Sequence, residues 1–539
     1  KTISFLFLVT LLIAGNLSSA QSLAPIQEGV TRHWVGPQYF TNPLMNWRLA
    51  NGRIENTHGG WVNEVHSLTH QLKTGDGEFS IQVRLGLSES QITPASEVAF
   101  VGFKLGAVGH RNDYRSNILY DMEGGFAAEL IQEPPLRAGF TTDGRLVVGK
   151  EYSESVLEID RMKDAVLEVS IDYSDQVANA RLTVSIANEE VASLESEIER
   201  EFLKGNVALA CHGLNPPRVK RRDGKSVDHL KFWFSNWELS GEKISSNPDQ
   251  TFGPILWSQY TVHKNTLKLM AFFVPMEEQA NQTAELQVRS GSSWSTVAES
   301  TIEPLSRAAL FRVEDWDSTI DQDYRVTYRW NSDDGETLAS WSGTVRKDPL
   351  DKETIVLAGL SCSHSELFPN AFLVENLLRQ DPDLVFFSGD QIYETNGGYW
   401  TVKATEKEEV PRATLNYLGK FWLSILGFRD LIKDRPSVMV PDDHDMFSND
   451  LWGKSGMKMG EHRCFGGFGM HRDWVNMVEF TQMGNRPDPY DSTPIEQGIQ
   501  AYTTSLDVGG VSFSLINDRK YKSAPGDVID AMEPLFEIR

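Results

Sequence analysis

The stretch Asp381-Pro382-Asp383-Leu384-Val385-Phe386-Phe387-Ser388-Gly389-Asp390-Gln391-Ile392-Tyr393-Glu394 decides how the C-terminal part of this chain folds. Leu384 to Phe387 is a short apolar run bounded by polar turn residues, the pattern of a strand buried on both faces. Glycine directly after it allows a sharp turn, so the Asp390 carboxylate can point out beyond the strand end. Tyr393 follows three residues later, close enough for one tight turn to present both side chains to one ion.

Outward from this stretch the same design recurs. Thr354-Ile355-Val356-Leu357-Ala358-Gly359-Leu360 reads as a buried strand ending at Ser361-Cys362. Ser437-Val438-Met439-Val440 reads as another, ending at Pro441-Asp442-Asp443-His444-Asp445. Helical patterns lie between the strands, at Ala371 to Arg379 and over about 412–433. Strands alternating with helices imply an α/β layered unit, and such units bind ligands beyond the carboxyl ends of their strands. Cys362, Asp390 and Asp443 all fall there.

The residue types at these ends suit a metal centre. Hard cations take carboxylate, phenolate and amide oxygens. A thiolate and a phenolate together, Cys362 with Tyr393, favour iron(III) over calcium and hint at a Lewis-acidic metal. Asp390 can bridge to a second ion, with Asp443 and Asn449 nearby. Two ions about 3.5–4 Å apart clamp a phosphate and lower the pKa of bound water toward ~7. His444, flanked by Asp443 and Asp445, is placed for proton transfer, an adjacent carboxylate raising its pKa and fixing its tautomer. Taken singly, an acidic loop at a strand end is as often a solvated turn or a helix cap. The ordered set carries the reading.

The N-terminal part is patterned differently. Phe79-Ser80-Ile81-Gln82-Val83-Arg84-Leu85, Val166 to Ile171 and Arg181 to Ile186 alternate apolar and polar residues, with turn signals such as Thr142-Asp143-Gly144 between runs. A large β-sandwich over 21–248 is expected, of lectin-like jelly-roll type. Trp34, Trp47, Trp61 and Tyr114 are candidates for a sugar-stacking surface, although such aromatics are more often core. Ser245-Ser246-Asn247-Pro248-Asp249 reads as a linker. A second, immunoglobulin-like sandwich is expected over 249–348, with strands at Leu267 to Val274 and Tyr324 to Trp330. The α/β unit then occupies 352–539.

The 539 residues carry a net charge of −24, which argues against wholesale binding to nucleic acid or anionic lipid. The basic run Arg218-Val219-Lys220-Arg221-Arg222 reads as a solvated loop. Lys1, the apolar Ile3 to Ala14 and the small residues Ser18-Ser19-Ala20 describe a secretory leader over 1–20, cleaved after Ala20. That expectation makes the protein secreted or periplasmic, without a transmembrane segment. Three cysteines, Cys211, Cys362 and Cys464, are too few for a disulfide framework. Cys211 reads as a small core residue.

Ser361-Cys362, the stretch 381–394 and Asp442-Asp443-His444-Asp445 together resemble the alkaline phosphatase D (PhoD-like) family of calcineurin-like metallophosphoesterases. Phe513 to Tyr521 is similar to that family's strand ending in Asp-x-Arg, here with Arg519 directly after Asp518. The resemblance implies an αββα fold and hydrolysis of phosphate monoesters or diesters at a centre of iron(III) and calcium, other divalent metals being possible. It implies that Cys362, Asp390 and Tyr393 hold the iron, and that Asp390 bridges to a second metal near Asp443 and Asn449. His444 becomes the phosphate-facing acid, and Arg519 a phosphate contact. The family completes its site with a later Gly-Asp-x-His loop, and no histidine follows His471 here. The α/β domain is therefore expected to be truncated and the chain as given poorly active. The alternative function is a secreted carbohydrate-binding or adhesion protein with a degenerate phosphatase domain. In a third reading the phosphoesterase is targeted to a polysaccharide by its first sandwich.

Overall fold

The computed structural model describes residues 21–22, 28–60, 62–88, 99–107, 136–173, 177–200, 203–213, 231–332, 335–362, 368–448, 450–460 and 463–526. The leader over 1–20, the basic run 218–222, Trp61, Tyr114 and Asn449 lie outside them. Among the described residues, no helix is long and apolar enough to cross a membrane.

Period-two alternation builds the first unit. An eight-stranded antiparallel sheet runs in the order Glu189–Ile198, Ala178–Ile186, Ala165–Tyr173, Phe79–Leu87, Phe232–Gly241, Arg53–Asn56 and Trp47–Ala50, with Gln21–Ser22 also on Phe232–Gly241. A seven-stranded sheet runs Glu151–Val156, Arg145–Val148, Leu136–Thr141, Phe100–Ala107, Asn206–His212, Glu64–Ser67 and Tyr39–Asn42. Val83 sits opposite Leu167 and Ile81 opposite Val169. These side chains pack with Phe103, Leu105 and Leu209 of the second sheet into one core. Register is fixed because a one-residue slip would turn this whole apolar set to the other face. Cys211 is fully buried in that core.

Trp34 and Trp47 do not form a sugar-stacking surface. They are 2% and 0% exposed, Trp34 against Trp330 and Trp47 beside Phe234. The cost of leaving such large rings in water puts them inside.

The second β unit pairs a three-stranded sheet (Ile255–His263, Thr266–Phe273, Ala308–Val313) with a four-stranded one (Ser293–Thr301, Thr283–Ser290, Gln322–Ser332, Gly335–Val345). Lys264 and Asn265, both at positive φ, form the two-residue turn that a tight hairpin requires. Ser245 and Ser246, read from sequence as the start of a linker, instead belong to the strand Ile244–Ser246, which pairs with His70–Leu72 of the first unit.

The remaining unit is built on a three-stranded parallel sheet in the order Leu357–Leu360, Leu384–Phe387, Ser437–Met439. Helix Ala371–Gln380 joins the first pair, and helices Val410–Ile425 and Arg429–Ile432 join the second. The hairpin Thr503–Val508 and Val511–Ile516 packs Leu506, Val508 and Leu515 on Leu384 and Val438. Leu384–Phe387 is central and buried. Leu357–Leu360, read from sequence as buried, is an edge strand with Leu357 46% exposed. Its apolar run says that one face can be covered, not that both are.

One apolar core runs on from the second sandwich into the α/β unit. Trp257 stacks on Phe272, ring centres 4.3 Å apart, and meets Phe421 of helix Val410–Ile425 at 5.9 Å. Phe421 stacks on Tyr417, which packs edge-on to Trp474. Trp257→Ala is expected to cost about 3–5 kcal/mol of stability. Denaturant unfolding followed by fluorescence and far-ultraviolet circular dichroism checks this. Loss of less than about 1 kcal/mol would show that the ring is not a keystone.

Candidate metal centre

Three loops meet at the carboxyl ends of the parallel strands. Cys362 follows Leu357–Leu360 with φ 56°, and Asp390 follows Leu384–Phe387 with φ 54°, both in the left-handed region. Such backbone is uncommon for non-glycine residues and clusters at functional sites. Gly389, at φ 115°, is required by proximity as well: a Cβ there would lie 2.5 Å from the Asp442 Cβ.

Asp445 binds the loops to each other. Its carboxylate is fully buried. It accepts from the backbone N–H of Asp390 (2.8 Å), Gln391 (3.1 Å) and Asp442 (2.9 Å), and from Gln482 Nε2 (2.9 Å). Gln391, also buried, donates to the Val440 carbonyl and to Gln482 Oε1. Three of its four donors are loop backbone N–H groups, so the carboxylate holds the loops in place.

The held loops bring acidic groups together. Asp390, Asp442 and Asp443 each offer an oxygen, all within 4.8 Å of one another. Asp390 Oδ2 lies 3.6 Å from Cys362 Sγ and accepts from Tyr393 Oη at 3.4 Å. Asp390 Oδ1 is buried without a hydrogen-bond partner. Asp443 accepts from the Asp450 N–H (2.7 Å). The arrangement fits a cation: an orphaned carboxylate oxygen, further carboxylates, a thiol and a phenol converge on it. Asn449 lies outside the described residues.

The electrostatics agree with that fit. Burial, then the charge of Asp443, raises the Asp390 carboxyl. Asp442 is pushed up to about 6 by burial and by Asp443 and Asp390, against the pull of Arg519. Burial pushes Asp445 up to about 7. Tyr393 is raised by burial and by its Cys362 and Asp390 neighbours, so its phenol stays protonated unless a cation displaces the proton.

His444 lies beside this cluster with its ring centre 4.5 Å from that of Tyr393. Its carboxylate partner is Glu394, Nδ1 to Oε2 2.8 Å, and not the flanking Asp443 or Asp445 expected from sequence. In the 3-10 turn His444–Met446, neighbouring side chains diverge, and Asp445 turns inward to the loop backbone. Burial alone would lower the His444 pKa. The hydrogen bond to Glu394 and the charges of Glu394, Asp390 and Asp443 outweigh it and raise the group.

Arg519, just past strand Val511–Ile516, does reach the cluster. Its Nε is 2.6 Å from Asp442 Oδ1, its Nη2 2.9 Å from Asp442 Oδ2, and Nη2 4.0 Å from Asp443 Oδ1. Asp442, Asp445 (as the carboxylate that holds the loops), Glu394 and Gln482 have roles that sequence reading did not assign. The first three lie inside the quoted motifs. Gln482 sits on helix Arg472–Met483, whose apolar periodicity reads only as core.

No protein-family model and no curated protein matches the chain. Among solved structures it is similar to that of PhoD, at 15% identity over 50% of this chain and 52% of that one, TM-score 0.36. The chain thus spans about half the length of that structure. It is also similar to a purple acid phosphatase from yellow lupin (Lupinus luteus) seeds, at 9% identity over 89% of this chain and 66% of that one, TM-score 0.32. A third is the lectin UEA-II complexed with galactose, at 6% identity over 42% and 99%, TM-score 0.29. These likenesses are slight, and the functional reading rests on the chain's own side chains.

Raised carboxyls make the metal-free fold sensitive to pH in a definite direction. Asp442 and Asp445 hold protons in the folded state up to about 6 and 7, whereas unfolded aspartates release theirs near ~3.9. The folded state binds more protons over that window, so this contribution is full below about pH 4 and is lost as pH rises through about 7. A cation bound beside them at Asp390 and Asp443 favours their ionised forms, so its binding is linked to the loss of these protons. The gain in melting temperature on adding a divalent cation to chelator-treated protein is expected to be larger near pH 7.5 than near pH 5. An equal gain at both would show that cation binding is not linked to the protons on these carboxyls.

Proposed function

We propose that this chain is a metal-dependent phosphoesterase acting on phosphate monoesters or diesters. The observation that carries the reading is the unpartnered Asp390 Oδ1 among converging carboxylates, beside a histidine held by Glu394. Cys362, Asp390 and Tyr393 would hold one cation. Asp390, Asp443 and Asn449 would hold a second, with iron(III) and calcium as the pair that the donor chemistry and the family resemblance favour. When bound, such ions supply Lewis-acid stabilisation of phosphoryl charge.

The chain's own residues do the rest. His444 Nδ1 is committed to Glu394, and that bond with the nearby carboxylates raises the ring's pKa, favouring the protonated ring whose Nε2–H can act as an acid. That proton goes to the leaving-group oxygen as water forms the new phosphorus–oxygen bond and the ester bond breaks. Arg519 is fixed by Asp442 at the rim of the cluster, where its guanidinium can meet a phosphoryl oxygen. A planar fork of donors suits that geometry. Export behind a cleaved leader over residues 1–20, and targeting to a polysaccharide by the first sandwich, belong to the same proposal.

Two substitutions test it on the native protein with bis(p-nitrophenyl) phosphate. Asp390→Ala is expected to lose both bound metal, measured by mass spectrometry of the elements, and turnover. His444→Asn is expected to keep its metal and lose about 10²–10⁴-fold in kcat. Unchanged turnover in Asp390→Ala overturns the mechanism.

A further inference from the structure

The loop that carries Tyr393 and Glu394 to the site is held from behind, and part of what holds it comes from the far end of the chain. Lys420, fully buried, donates from Nζ to the carbonyls of Asn396 (2.8 Å) and Tyr399 (2.6 Å). Asn396, also fully buried, donates to Ser424 Oγ (3.1 Å). The carbonyl of Gly397, lying between these two anchors, takes its hydrogen bond from Asn42 Nδ2 at 2.8 Å, across 355 residues of sequence. Asn42 is 2% exposed. The approach is close. Gly397 stands at φ 78°, and a Cβ there would lie 2.5 Å from the Tyr399 ring and 3.1 Å from Asn42 Oδ1.

Asn42 closes the strand Tyr39–Asn42 of the large sandwich and opens a short finger that returns as Trp47–Ala50. The finger is braced on both sides. Asn46 Nδ2 donates to Asn63 Oδ1 (2.8 Å), and the Asn46 carbonyl accepts from the Thr57 N–H (2.8 Å). On the catalytic side, Arg412 reaches the Met45 carbonyl (3.3 Å) and Asn46 Oδ1 (2.9 Å). Leu44 packs so near helix Val410–Ile425 that a Cβ on Gly419 would lie 3.3 Å from its own.

We infer that this finger, residues 42–46, is a positioning element of the site, with Asn42 the residue that fixes the Tyr393–Glu394 loop through Gly397. The inference rests on the phosphoesterase reading for its catalytic consequence, though not for its structural one. A module tethered only for targeting would meet the catalytic unit through exposed, exchangeable contacts. Here a single buried amide satisfies a carbonyl three residues from Glu394, the group that orients His444. Loosening that loop displaces the Glu394 carboxylate and the Tyr393 phenol together, and small misplacements of reacting groups are costly in rate.

Hydrogen exchange and kinetics on the full chain test this. Asn42→Ala removes the donor. Asn42→Asp keeps the shape and turns an acceptor toward the Gly397 carbonyl. Arg412→Met loosens the finger from the other side. Exchange of the peptide spanning 393–399 is expected to rise about tenfold in each variant, while a peptide from strand Asn206–His212 of the same sandwich stays as in the parent. With bis(p-nitrophenyl) phosphate, kcat per folded enzyme is expected to fall about tenfold with KM held within about twofold, the unchanged exchange of strand Asn206–His212 separating this from general unfolding. Unchanged exchange over 393–399 in all three variants overturns the inference. So does faster exchange that spreads equally through the sandwich in all three. If exchange rises locally but parent and variants alike turn over no phosphate ester, the positioning role stands and the phosphoesterase reading falls.

Discussion

Everything at the candidate site depends on one buried carboxylate. Asp445 gathers N–H groups from the loops after two different parallel strands, and a fourth from a helix side chain. A carboxylate out of water is costly unless its lone pairs are filled, and here the filling is done by the backbone that must be held. The cost and the constraint are therefore one interaction. Asp390 and Asp442 each contribute an N–H to the same carboxylate, so their own side chains leave from fixed points. The left-handed turn at Asp390 and the bare Cα of Gly389 let the two loops approach closely enough for that.

A site assembled this way is electrostatically unfinished. Three carboxylates close together, with a phenol raised by its neighbours, are mutually unfavourable in the absence of positive charge. Arg519 supplies part of it, and its grip on Asp442 fixes the segment after strand Val511–Ile516 against the cluster. Asp390 receives no comparable partner, and one of its oxygens is left without any. The distribution matters more than the total. Asp442 is neutralised from within the chain, while Asp390 and Asp443 are left to meet a charge from outside it.

Much of this was legible from the residues and some of it could not be. Leu384–Phe387 and Ser437–Met439 are short, apolar and bounded by turn residues, and they fold as read. The loops after them gather the expected groups because strand ends in a parallel sheet all face one way. Leu357–Leu360 has the same composition but is partly exposed, whereas Ser437–Met439, the other outer strand of the three, is buried, and composition does not record what packs against a strand. The histidine's partner was misread for a similar reason. Asp443 and Asp445 adjoin His444 in sequence, but one 3-10 turn sends neighbouring side chains apart, and Glu394 arrives from another loop. Gln482 carries no signal at all. It is polar on an otherwise apolar helix, and only the position of Asp445 gives it a role.

The same Gln482 links the site to the rest of the molecule. Its amide donates to Tyr417 Oη as well as to Asp445. Tyr417 stacks on Phe421, which touches Trp257 of the second sandwich. A path of packed rings thus runs from the core of one unit to the carboxylate that sets the loops of another. Protein interiors packed at this density transmit displacement rather than absorb it. The first sandwich reaches the adjoining loop by a separate route, through Asn42 and Gly397. The loops of the site are short and polar and have little core of their own. Their fixed geometry is borrowed from two β-sandwiches that carry none of the candidate metal-binding residues, and this gives those sandwiches a physical reason to be joined to the α/β unit by buried contacts.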